Sequence, residues 1–128
     1  MFHLDLPEFE KIIDKAIASL PKQYVSHLDN VAFLVEDEPS AQQGQTLQLR
    51  GDQTLFGLYE GVPLPQRQGY TKLLPDKITL FQKPLEYASN SLADLRTNIS
   101  RTIWHEVAHY YGLDHKRIHE LESKESAS

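Results

Sequence analysis

The residues of this chain best suited to chemistry are His105, Glu106 and His109, spaced as His-Glu-Val-Ala-His, with Gly112 and His115 following. In a helix of 3.6 residues per turn, His105 and His109 stand one above the other, so both imidazoles can reach one ion without bending the backbone. Glu106 falls about 100° further round the axis, near enough to hydrogen-bond a water on that ion without ligating it. Gly112 can take the left-handed conformation that ends a helix, which lets the chain double back so that His115 offers a third nitrogen. Asp114, His119 and Glu120 are the alternatives for that third position. Three protein ligands and a water form the open arrangement of catalytic zinc, whereas structural zinc closes with four protein ligands. Zinc brings the pKa of its water to about 7, and Glu106 would take that proton as the water attacks a carbonyl, then return it to the leaving amine. The reaction class is metal-assisted hydrolysis of an amide, above all a peptide bond. Nickel, cobalt or iron would accept the same ligands.

With 6 histidines in 128 residues, a bare His-Glu-x-x-His arises by chance in roughly one or two chains per hundred. The further Gly and His lower that rate about several hundredfold. The motif also closes a segment marked as helical by other residues: Ser91-Leu92-Ala93-Asp94 is a capping box, and Leu92, Leu95, Ile99 and Ile103 carry an apolar face towards Gly112.

The elements that must position this helix are also legible. Asp5-Leu6-Pro7-Glu8 starts a first helix, Leu6 to Leu20, with an apolar stripe of Phe9, Ile12, Ile13, Ala16, Ile17 and Leu20 before Pro21 stops it. Val31 to Val35 reads as a buried strand of the central sheet, Thr54 to Tyr59 as a second strand, and Lys77 to Phe81 as a third ended by Pro84. Gly57 inside the second marks a bulge or a close backbone approach. The polar, Gln-rich stretch from Ser40 to Gln45 and the Gly- and Pro-containing stretch from Gly61 to Gly69 read as loops, and Lys116 to Glu122 as a short helical tail. Helix, three strands, helix indicates an α+β two-layer domain, with residues 1–128 forming one domain.

Composition narrows the functions. Thirteen Lys and Arg against 18 Asp and Glu give a net charge of −5, with the basic residues scattered, which argues against a nucleic-acid binder. No cysteine is present, so thiolate chemistry and Cys-based metal sites are excluded. No apolar run approaches a membrane span, and Met1 to Leu6 does not read as a secretory signal; a cytoplasmic protein is expected. His3 and His27 have no helical partner and are expected at the surface.

The residues from His105 to His115, the stretch Leu55-Phe56-Gly57-Leu58-Tyr59-Glu60-Gly61-Val62-Pro63-Leu64 and the stretch Leu74-Pro75-Asp76-Lys77-Ile78-Thr79-Leu80-Phe81 resemble the small bacterial zincin-like metallopeptidases, or minimal zincins. With the leading helix, the resemblance covers nearly the whole chain. It implies a stripped-down zincin domain, with a small mixed sheet on a backing helix and an active-site helix. It also implies Zn2+ as cofactor, His105 and His109 as ligands, Glu106 as general base and a peptide or protein as substrate. The larger metzincins have a methionine turn beneath the metal, whereas the only methionine here is Met1. Thirteen residues follow His115, too few for the lower subdomain of those enzymes, so the expected cleft is shallow or one-sided. Within the minimal family the third ligand is often Asp, so His115 makes this chain look more metzincin-like. In zincins the substrate adds as a strand to an exposed sheet edge. Thr54 to Tyr59 is then the candidate edge, with Gly57 allowing close approach and the loop from Glu60 bordering the metal; equally, Gly57 and Gly61 make only a bulge and a turn. Tyr59, Tyr70, Tyr110 and Tyr111 are candidate oxyanion donors. The competing reading is a catalytically weak or inactive metal-binding or peptide-binding module on the same scaffold.

Overall fold

The computed structural model of the chain describes residues 3–49, 55–62, 65, 75–113 and 117. Helix α1 spans Leu6–Ala18, with Asp5 capping it through the Glu8 N–H (3.0 Å) and Pro7 in the first turn, where its missing N–H is not needed. It ends two residues earlier than the periodicity predicts: the Ser19 hydroxyl donates to the Ala16 carbonyl (2.9 Å), and Pro21 then opens one extra turn, α2 (Lys22–Val25).

Three strands follow the predicted order, β1 (Val31–Glu36), β2 (Gly57–Glu60) and β3 (Asp76–Phe81). The middle strand is β3, parallel to β1 and antiparallel to β2, with Val31 opposite Asp76 and Tyr59 opposite Ile78. The run Val31 to Val35 is only partly buried. Val31, Phe33 and Val35 pack on the core, while the alternate residue Leu34 is 40% exposed on the other face. The second strand is shorter than expected, since Leu55 and Phe56 precede it and Thr54 lies outside the described residues.

Two stretches fold into helices that composition conceals. Ala41–Leu49 forms α3, where a loop over Ser40 to Gln45 is predicted. Ser40 and Gln43 cap it reciprocally, the Gln43 N–H on the Ser40 hydroxyl (3.1 Å) and the Ser40 N–H on the Gln43 side-chain oxygen (2.9 Å). Its Leu47 is buried against Leu58 and Phe81 on the far face of the sheet. Directly after β3, Gln82–Tyr87 forms α4, which admits Pro84 because first-turn N–H groups have no intrahelical acceptor.

The longest helix, α5 (Leu92–Tyr110), starts at the predicted cap, where Ser91 Oγ accepts the Asp94 N–H (3.1 Å). Its Leu95, Ile99, Ile103 and Val107 meet Phe9, Ile13 and Ala16 of α1 and Ile78 and Leu80 of β3 in one core. Each fully buried aliphatic side chain there contributes about 1.5–3 kcal/mol. This α+β arrangement lays α1 and α5 as one layer against the sheet, as expected, with α3 added on the opposite face. Among the described residues no helix is long and apolar enough to cross a membrane. Of the predicted helical tail, only Arg117 is described, and the loop Gly61 to Gly69 is described only at Gly61, Val62 and Pro65.

Candidate metal centre

The motif occupies the last turns of α5, which ends as the sequence requires. Gly112 has φ +77°, its N–H donates to the His109 carbonyl (2.9 Å), and the Leu113 N–H reaches back to the Ala108 carbonyl (3.0 Å). That pair of bonds is the helix-terminating pattern that turns the chain back, and a side chain at position 112 would strain it.

His105 and His109 are half-buried neighbours on one face, with their Nε2 atoms 3.2 Å apart. Two nitrogens bound to one tetrahedral zinc at 2.0–2.1 Å lie about 3.3 Å apart, so the side chains already stand at the separation a shared ion demands. Glu106 is 2% exposed, and one ligand atom from each of His105, Glu106 and His109 falls within 4.8 Å of the others. Two imidazole donors on one helix face suit zinc and its first-row neighbours, with Glu106 beside them. His115, Asp114, His119 and Glu120, the candidates for the third position, lie outside the described residues.

What holds Glu106 is the sheet. The Phe81 N–H donates to the Phe56 carbonyl (2.9 Å), and by the alternation of an antiparallel ladder Leu58 and Glu60 bond to β3, while the N–H groups of Gly57 and Tyr59 point to the outer edge. There the Tyr59 N–H donates to Glu106 Oε1 (2.7 Å). Gly57 makes this approach possible: a Cβ on it would come within 2.6 Å of Thr102 Cγ2 and 3.5 Å of Glu106 Cγ on α5. Of the two readings of Gly57, close backbone approach describes what it does. On the outer edge of β2 the Tyr59 N–H is thus already engaged by the carboxylate beside the histidines.

The tyrosines are engaged elsewhere. The Tyr59 hydroxyl donates to Asp76 Oδ2 (2.5 Å), the Tyr110 hydroxyl accepts the Asp29 N–H (2.9 Å), and the Tyr111 hydroxyl donates to the Tyr24 carbonyl (2.6 Å). Burial first, then the neighbouring Tyr110 and Tyr24 hydroxyls, push the Tyr111 hydroxyl above its ordinary pKa. These three are struts between elements, and Tyr70 lies outside the described residues. Of the other histidines, His27 is exposed, and His3, also mostly exposed, bonds through Nδ1 to Glu86 (2.9 Å).

Sequence reasoning missed two participants, the Tyr59 backbone N–H and Asp76. A backbone donor leaves no mark in side-chain patterns, and Asp76 reads as a polar residue ahead of a strand, although it is wholly buried. The chain matches no curated protein. The paired imidazoles and the buried glutamate between them lie within residues 28–125, over which the chain fits the family model of zincin-like metallopeptidases, and it belongs to that family.

Proposed function

We propose that the protein is a zinc-dependent peptidase of the bacterial cytosol, acting on a peptide or a flexible segment of a protein. The observation that carries this reading is the pair of Nε2 atoms 3.2 Å apart beside a buried carboxylate held by a backbone N–H. His105 and His109 would hold the ion, with His115 as the proposed third ligand. A zinc ion there supplies a Lewis acid that polarises a carbonyl and eases deprotonation of water. Glu106 accepts a proton from the attacking water and delivers it to the departing amine nitrogen, so the C–N bond breaks with charge balanced. The Tyr59 N–H keeps one oxygen of that carboxylate in place through both transfers. Because β2 lies along α5, a substrate aligned with the outer edge of β2 would bring its backbone past the histidine pair.

The test is cleavage of an unbiased peptide library by zinc-loaded protein. Peptide-bond cleavage blocked by a chelator, restored by zinc and absent in Glu106→Gln is the expected result. Zinc-loaded protein that binds but cuts no peptide would make it a binding module instead.

A further inference from the structure

Tyr59 is bonded at both ends to carboxylates. Its N–H donates to Glu106 (2.7 Å), and its hydroxyl donates to Asp76 Oδ2 (2.5 Å). Asp76 opens β3, is wholly buried, and is tied to the neighbouring segment by its own N–H on the Asn30 carbonyl (2.9 Å). Its other oxygen accepts the Val62 N–H (3.3 Å), just past the end of β2. The Tyr59 ring between these anchors stands edge-on to Tyr110 of α5, with centroids 6.1 Å apart. Asp76 therefore grips β2 on both sides of Glu60, through the phenol of Tyr59 and the backbone of Val62. The backbone N–H offered to Glu106 belongs to the gripped segment.

We infer that Asp76 and the Tyr59 hydroxyl are positioning residues for Glu106. The buried Asp76 carboxylate fixes the end of β2, and the fixed strand presents the Tyr59 N–H that orients the Glu106 carboxylate. A carboxylate held at one oxygen by a charge-assisted bond does not spin about its terminal bond, so its second oxygen keeps one direction before substrate arrives. Both side chains act through the Tyr59 backbone N–H and the strand that carries it. The inference rests on the peptidase reading for its consequence, but not for its geometry.

Both parts can be read separately. In metal-free, 15N-labelled protein, the amide proton of residue 59 reports its bond to Glu106, and Glu106→Gln gives the position for a neutral acceptor. Asp76→Asn and Tyr59→Phe are expected to move that amide in the same direction as Glu106→Gln, while Glu86→Gln, a buried glutamate elsewhere, leaves it unmoved. In zinc-loaded protein the two variants should keep zinc affinity and KM within about twofold and lose kcat by about ten- to a hundredfold, the scale on which small misplacements act. Should Asp76→Asn fail to fold, Tyr59→Phe, which removes only the hydroxyl, carries the test. A residue-59 amide unmoved in folded Tyr59→Phe would overturn the inference. If that amide moves but wild-type protein cleaves no peptide, the positioning stands and the peptidase reading falls.

Discussion

Glu86 and Glu106 are 3% and 2% exposed, both sit on helices, and each accepts at 2.7 Å a backbone N–H from a distant residue, Leu4 for one and Tyr59 for the other. Their company differs. Glu86 also meets the His3 ring (2.9 Å) and the Gln82 amide (3.2 Å), and Gln82 in turn donates to the Leu4 carbonyl (2.8 Å). These bonds fasten the segment before α1 to α4. Glu106 instead stands beside two imidazoles whose nitrogens converge. Burial and a backbone donor are thus common to a fastening and to a candidate metal centre; what separates them is that the neighbours of Glu86 tie two segments together, whereas beside Glu106 two imidazole nitrogens stand at the separation of ligands on one ion.

Exchanging the perturbation between the two glutamates gives the widest separation. Glu106→Gln should lower peptide hydrolysis by at least about a hundredfold, the usual weight of a general base. It should lower the melting temperature less than Glu86→Gln does, because the amide oxygen still accepts the Tyr59 N–H, as a neutral bond in place of a charge-assisted one, whereas Glu86 also bonds the His3 ring and the Gln82 amide. Glu86→Gln should do the reverse: about 1–3 kcal/mol of stability lost with its charge-assisted bonds, and turnover kept. Thermal melts beside turnover assays check both. Equal losses of activity in the two variants would erase the distinction.

Gly57→Ala sharpens the link between sheet and glutamate. The added methyl would press on Thr102 and on the Thr79 carbonyl, 3.2 Å from its Cβ, costing about 1–3 kcal/mol of overpacking. Since β2 must shift to relieve it, kcat should fall with stability, measured in the same two assays.

How far such features can be seen in advance depends on the range of the interaction. The start of α1 at Asp5, the start of α5 at Ser91 and its end at Gly112 depend on residues within five positions of one another, and each formed as read. So did the helical spacing that brings His105 and His109 together. Helix α3 was hidden because Gln and Gly outweighed a local signal that was present, the Ser40 and Gln43 pair. At α4, Pro84 reads as a strand stop, although the strand ends three residues earlier and Pro84 lies inside a helix. The Asp76, Tyr59 and Glu106 chain spans separations of 17 and 47 residues, for which one sequence carries no period. The same holds for the tyrosine hydroxyls, whose partners lie on distant segments.

The smallest effect expected concerns those hydroxyls. Tyr111→Phe removes the bond to the Tyr24 carbonyl and should cost about 1 kcal/mol in a denaturant melt, with kcat unchanged. A large fall in kcat would return Tyr111 to the reacting site.

The most direct measurement is the metal content, by plasma mass spectrometry, of untagged protein purified without metal-affinity resin and then offered zinc, beside His109→Ala. About one zinc per chain in the wild type, lost in the variant, is the result expected of a histidine pair built around an ion. Wild-type protein that neither carries metal nor takes up zinc would contradict it.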